Sequence, residues 1–188
     1  LYRGIRRLPP GHMLRWTAGS YEVVPYWGIP TEPVQRHSEA EAKELLWDAL
    51  RDSVRARLMS DVPLGVFLSG GVDSAAIVAA LSQVMDASEL DTFSMGFSEP
   101  SFDESGAARA VAKAFGTRHH QRILKPEDLV VAAPEILGSL DVPMADPSIV
   151  PTTLLSRFAR EHVKVVLGGD GGDELLMGYP TFFAERVA

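Results

Sequence analysis

Leu64-Gly65-Val66-Phe67-Leu68-Ser69-Gly70-Gly71-Val72-Asp73-Ser74 is the stretch on which the fold turns. Its first five residues form an apolar run between Pro63 and a glycine pair, short enough and rich enough in strand formers for a buried strand. Residues 74–83 then read as a helix. A glycine loop between a strand and a helix gathers backbone N–H groups and the positive end of a helix dipole around one point, and such a point favours an anion. Gly70 and Gly71 let the backbone bend sharply and approach a phosphate, while Ser69 and Ser74 add hydroxyl donors. Asp73 would repel phosphates unless a divalent cation lay between them, and Mg²⁺ is the ion usually held by one or two carboxylates plus phosphate oxygens. No lysine follows the glycines, so the G-x-x-x-x-G-K-[ST] pattern and kinase-like γ-phosphoryl transfer are disfavoured. The plainer alternative is a glycine turn that Asp73 merely caps.

Working outward from this loop, residues 38–58 place Ala42, Leu45, Leu46, Ala49, Leu50, Val54 and Leu58 at helical spacing, and Ser38 with Glu41 makes a capping-box signature. Upstream of about Pro30, Trp- and Tyr-rich pieces broken by Pro9-Pro10-Gly11 and Thr17-Ala18-Gly19-Ser20 suit a short hairpin. Downstream come a strand at 92–97, a helix from about Phe102 to Phe115 closed by Gly116, and a weaker strand at 120–124. Helices near 127–137 and 149–162 and a strand at 163–167 follow. Strands alternating with helices imply right-handed crossovers and an α/β, doubly wound parallel sheet with helices on both faces. Ligands in such sheets sit beyond the carboxyl ends of the strands, which directs attention to the loops after Leu68, Phe97 and Leu167.

The last of these, Gly168-Gly169-Asp170-Gly171-Gly172-Asp173-Glu174, packs four glycines and three acids into seven residues. Acids so close repel one another unless a cation or a basic group neutralises them, so a metal site or a shared positive partner is the economical reading and a solvated acidic turn the bland one. The complementary content of the two loops suggests one site. EF-hand spacing is absent. The loop after Phe97 could present strand-edge backbone groups to adenine or be a plain buried strand end, and the sequence does not decide between the two. His119 and His120 read as packing or surface groups, and Trp16, Trp27 and Trp47 as interface and core aromatics rather than base-stacking platforms.

The 188 residues, 46% hydrophobic and 23% charged, suit one globular domain. A net charge of −7 argues against a nucleic-acid coat, and the absence of cysteine excludes disulfides, thiolate metal sites and a cysteine nucleophile within these residues. No apolar run reaches membrane-span length, and the opening Leu1-Tyr2-Arg3-Gly4-Ile5-Arg6-Arg7 lacks a signal peptide's apolar middle, so a cytoplasmic protein with no membrane partner is expected.

Taken together the motifs resemble the synthetase domain of the glutamine-hydrolysing asparagine synthetases, members of the PP-loop ATP pyrophosphatases, whose signature is an SGGxDS loop. The likeness runs through Asp61-Val62-Pro63 into the first loop, Ser101-Phe102-Asp103-Glu104, Phe115-Gly116-Thr117-Arg118-His119-His120, Asp146-Pro147-Ser148, Pro151-Thr152 and the second loop. Gly4-Ile5, Leu8-Pro9-Pro10-Gly11-His12 and Tyr26-Trp27 look like the connector that precedes that domain. The resemblance implies residues 1–37 as a connector hairpin from a glutaminase domain of the same polypeptide and 38–188 as an ATP-binding synthetase domain cut short at its C-terminus. It implies ATP and Mg²⁺ as cofactors, aspartate and glutamine-derived ammonia as substrates, adenylation of the β-carboxylate with loss of pyrophosphate, then amidation. It leaves room for a homodimer.

Residue by residue, the resemblance puts Phe67 and Met95 against the adenosine through backbone groups, and Gly168 and Gly169 where the chain closes on the nucleotide. Ser69, Gly70, Gly71 and Ser74 would hold pyrophosphate, Asp73 and Asp173 would ligate Mg²⁺, and Asp170 stands at an acidic position important for forming the adenylate. Asp170 is Glu in part of the family, and Leu176-Met177 stands where Phe-Gly is common. The family's phosphate-binding lysine falls beyond these residues, so the segment alone is expected to be inactive. β-Lactam synthetases use the same adenylation on another carboxylate, and a non-catalytic nucleotide-binding module is the alternative from outside enzymology.

Overall fold

The computed structural model describes residues 3–30, 36–99, 101 and 103–182, and the chain divides into two compact units, Leu1–Lys43 and Glu44–Ala188. In the first unit β1 (His12–Thr17) and β2 (Ser20–Pro25) form an antiparallel hairpin whose turn places Ala18 and Gly19 at positive φ. Strand alternation puts the Leu14–Val23 and Trp16–Tyr21 pairs on one face, where all four side chains are exposed. The expected hairpin is therefore present. Ser38 and Glu41 then cap α1 (Glu39–Arg57) reciprocally. The Ser38 N–H donates to Glu41 Oε2 at 2.9 Å, and the Glu41 N–H donates to Ser38 Oγ at 3.3 Å.

The second unit is built on a four-stranded parallel sheet, ordered β5-β4-β3-β6, from β3 (Leu64–Phe67), β4 (Asp91–Phe97), β5 (Arg118–Leu124) and β6 (Val165–Leu167). Helices α2 (Val72–Leu81), α3 (Ser105–Phe115), α4 (Pro126–Gly138), α5 (Ile149–Ala159) and α6 (Gly172–Leu176) connect and follow the strands. Strand alternation divides the core in two. Val66, Leu68 and Leu167 face a cluster with Trp47 and Val54 of α1, Val78 and Leu81 of α2, and Ala108 and Ala112 of α3. Phe67, Phe93 and Val166 face the other way, onto Leu155, Phe158 and Ala159 of α5 and Val163. Phe93 is wholly buried and meets Phe158 edge-on at 5.9 Å between ring centroids. Helices thus cover both faces, as the alternating pattern requires.

Several bounds differ from the sequence reading. Helix α2 begins at Val72, which brings Asp73 into its first turn, because Gly71 serves as the N-cap with no side chain to mark the boundary. Helix α3 begins at Ser105, where the Asp103 carboxylate accepts the Ser105 N–H at 3.1 Å; Phe102 lies outside the described residues. Its end at Gly116, at φ 73°, is the left-handed cap expected of glycine. Helix α5 stops at Ala159 and β6 begins only at Val165. Strand β5 is longer than its polar sequence suggests, since its inward groups find partners on β4. His119 Nδ1 lies 2.9 Å from Thr92 Oγ1 and its Nε2 3.1 Å from Ser94 Oγ. On the opposite face His120 stacks on Phe93, with Nε2 2.7 Å from Asp91 Oδ1. Among the described residues no helix is long and apolar enough to cross a membrane.

Candidate functional site

The chain runs β3, β4, β5 outward to one edge and then returns to place β6 on the other side of β3. The reversal of strand order falls between β3 and β6, and at such a switch point the loops leaving the two strands diverge and open a crevice. Those loops are the two glycine loops, 69–74 after β3 and 168–174 after β6.

In the first loop Gly70 adopts φ +87°, and a Cβ there would lie 2.6 Å from both Ala107 Cβ and Ala108 N, so the loop needs glycine for its turn and for the approach of α3. Ser69 and Ser74 brace the loop from within. Their hydroxyls lie 3.1 Å apart, the Ser69 N–H donates to Ser74 Oγ at 3.3 Å, Ser74 Oγ donates to the Gly71 carbonyl at 3.2 Å, and the Gly71 N–H donates to Ser69 Oγ at 3.2 Å. Ser74 is buried, which makes it a shaping group of the loop as much as a hydroxyl donor. Among the described residues no side chain caps the N-terminus of α2, a ten-residue helix whose first amides have no intrahelical partner and suit an anion.

The second loop closes on the first. A Cβ at Gly169 would lie 3.1 Å from Asp73 Cβ and 3.3 Å from Ser74 N, and one at Gly172 would lie 2.5 Å from Asp73 Oδ2. The Asp73 carboxylate therefore rests on the backbone at the start of α6, one residue from Asp173. Asp170 folds back on its own loop, its Oδ2 lying 2.6 Å from the place a Cβ on Gly168 would take. Phe67 ends β3, and Met95 lies two residues past its register partner Phe93 on the neighbouring strand. Asp73 and Ser74 of the first loop thus meet Gly169 and Gly172 of the second, while Asp170 lies against Gly168 of its own loop and Asp173 against Gly178. Phe67 and Met95 lie on the adjoining strands β3 and β4.

Among the described residues no group of three or more His, Cys, Asp or Glu side chains could cage a metal. Mg²⁺ needs no such cage, because it retains waters and phosphate oxygens beside one or two carboxylates. Asp73 in the first turn of α2 and Asp173 in that of α6 are two carboxylates of the chemical kind that donor set uses.

Sequence reasoning counted Glu174 among the acids of the second loop without giving it a partner, and passed over Tyr179. The Tyr179 hydroxyl donates to Glu174 Oε1 at 2.7 Å. That carboxylate pushes the phenol up to about 12, with Asp173 and Asp146 adding to the effect, while the hydroxyl and nearby backbone N–H groups hold Glu174 below the ordinary carboxylate value. The signal available was Gly178-Tyr179-Pro180, three residues beyond the acidic loop, a turn that can send the chain back over α6.

The family model described as asparagine synthase matches residues 45–188. A Mycobacterium tuberculosis protein is 40% identical over 192 residues, covering 100% of this chain and 29% of that protein. The glutamine-hydrolyzing asparagine synthetase 1 of Bacillus subtilis is 38% identical over 157 residues, covering 84% of this chain and 24% of that protein. The chain thus spans less than a third of the length of these relatives. Among solved structures, a glutamine-dependent NAD+ synthetase from Acinetobacter baumannii in complex with ADP shares the fold at a TM-score of 0.50 and 23% identity, covering 85% of this chain and 30% of that one.

Proposed function

Because this chain belongs to the asparagine synthase family, we propose that it is the ATP-binding core of an asparagine-forming, ATP-dependent ligase. The observation that carries the reading is the meeting of two glycine and acid loops across the β3–β6 switch point, with Asp73 against Gly172. An uncapped helix N-terminus, close-approach glycines and carboxylates gathered at the strand ends suit a nucleotide with its metal better than they suit a solvated turn.

In this reading the adenosine lies along the strand ends at Phe67 and Met95, and Gly168 and Gly169 close over the nucleotide. Ser69, Gly70, Gly71 and Ser74 hold the β- and γ-phosphates. Asp73 and Asp173 hold Mg²⁺, which when bound would neutralise charge on the departing pyrophosphate. An oxygen of the aspartate β-carboxylate attacks the α-phosphorus of ATP, the α–β P–O bond breaks and pyrophosphate leaves. Asp170 acts at this activation step. Ammonia, from glutamine in the whole protein, then attacks the acyl carbon; the acyl C–O bond breaks and AMP departs. Residues 1–37 serve as a connector from a glutaminase domain and 38–188 as the synthetase domain.

The test is aspartate-dependent release of pyrophosphate and AMP by the full-length polypeptide supplied with ATP, Mg²⁺ and ammonia. Release of ADP and phosphate instead, or no dependence on aspartate, would sink the reading.

A further inference from the structure

Beyond the glycine loops, the turn after α6 packs on a residue of the site. The chain leaves α6 through Met177 at φ 59°, and the Gly178 N–H donates to the Asp173 carbonyl at 2.9 Å. A Cβ at Gly178 would collide with Asp173 Oδ1, so the turn lies directly against that carboxylate. One residue later, Tyr179 donates its hydroxyl to Glu174 Oε1 at 2.7 Å. The turn and the helix are therefore fastened at successive residues, Gly178 to Asp173 and Tyr179 to Glu174. Tyr179 is 41% exposed, and a hydroxyl–carboxylate pair in solvent contributes little to global stability. The pair holds the same turn that carries Gly178, and Gly178 is the residue lying against the Asp173 carboxylate.

We propose that Tyr179 is a positioning residue for Asp173, acting through Glu174 as a clasp that holds the acidic loop in its metal-binding arrangement. The inference rests on the reading of Asp73 and Asp173 as Mg²⁺ ligands. A ligating carboxylate is itself oriented by hydrogen-bonded neighbours, and removing such an outer partner typically costs about 10–100-fold in metal affinity. The carboxylate of Glu174 serves here as an acceptor and not as a ligand. A neutral amide can replace it in that role, since its carbonyl oxygen still accepts from the Tyr179 hydroxyl.

The experiment measures equilibrium binding of ATP to the full-length polypeptide, once with Mg²⁺ and once with EDTA. Tyr179→Phe and Glu174→Ala should each weaken Mg·ATP binding at least about tenfold and leave metal-free ATP binding unchanged, while Glu174→Gln stays near the parent. The double variant Tyr179→Phe/Glu174→Ala should be no weaker than Glu174→Ala alone, because one residue acts through the other. Unchanged Mg·ATP binding by Tyr179→Phe, an equal loss in both metal conditions, or additive effects in the double variant would overturn the clasp. A parent that binds ATP no better with Mg²⁺ than with EDTA would instead overturn the metal reading of the site, and the clasp with it.

Discussion

The carboxylate of Asp73, in the first turn of α2, rests on the backbone of Gly172, the first residue of α6, so closely that a Cβ at 172 would lie 2.5 Å from Asp73 Oδ2. Two residues almost a hundred positions apart are thereby made into one surface, and the space between them is set by the missing side chain. Gly172→Ala should push the Asp73 carboxylate out of place. A displacement of about 1 Å at a reacting site can cost about a hundredfold in rate, so kcat/KM for Mg·ATP should fall by that order while the circular dichroism spectrum stays the same. Asp73→Asn and Asp173→Asn should lose Mg²⁺ dependence of ATP binding altogether. Unchanged affinity and metal dependence in both Asn variants would remove the pair from the site.

Gly70 and Gly71 are neighbours with different duties. Gly70 sits at φ +87° with Ala107 and Ala108 of α3 against it, whereas Gly71 sits at φ −71° with only Ser69 Oγ within reach of a Cβ, at 3.3 Å. Left-handed backbone costs a non-glycine residue about 1–2 kcal/mol, and overpacking adds about 1–3 kcal/mol. Gly70→Ala should therefore lower unfolding stability by about 2 kcal/mol or more, read from the midpoint of urea denaturation. Gly71→Ala should cost less than half of that and show its effect in nucleotide affinity. Equal stability losses in the two would contradict the packing of α3 on the loop.

The strand–loop–helix at 64–74 was legible because every local signal agreed: strand formers, a glycine pair, then helix formers. Strand β5 was harder to read, since His119, His120, Gln121 and Arg122 look solvent-bound until Asp91, Thr92 and Ser94 are seen beside them. Those partners are 25 to 29 positions away, and no periodicity within β5 announces them. Helix α6 was missed for a different reason. It is five residues long and opens on glycines, which local propensity counts against a helix, and it is fixed by Asp73 below and the Gly178–Tyr179 turn beyond. The candidate residues of the loops could be named from the sequence, but not the contact between Asp73 and Gly172 that joins them.

Acid should loosen the sheet through His119. Burial holds its imidazole below the ordinary value of 6.5, with His120 and Arg109 adding repulsion. The unfolded chain then binds more protons than the folded one just below pH 6.5, so the stability contributed by neutral His119 is complete above that pH and is lost as pH falls through the lower folded value. His119→Gln, which retains hydrogen-bonding capacity toward Thr92 and Ser94 but does not titrate, should flatten the fall in Tm between pH 6.5 and 5. A fall of the same steepness in the variant would assign the acid sensitivity to other groups.

The role proposed for Asp170 predicts that activation and binding can be separated. The residue is exposed and its carboxylate folds back toward Gly168, where a Cβ would lie 2.6 Å from Oδ2. Asn has nearly the same shape and can keep that fold-back, which makes Asp170→Asn a change of charge more than of structure. A group that acts only as the adenylate forms is silent in the ground state; its loss lowers kcat and kcat/KM together and leaves KM for ATP in place. Loss of one preorganised electrostatic group of this kind typically costs about 10²–10³ in rate. The full-length Asp170→Asn polypeptide should therefore bind Mg·ATP like its parent and release pyrophosphate at least about a hundredfold more slowly with aspartate saturating. A raised KM with kcat intact would make Asp170 a ground-state binding residue, and the activation step would need another group.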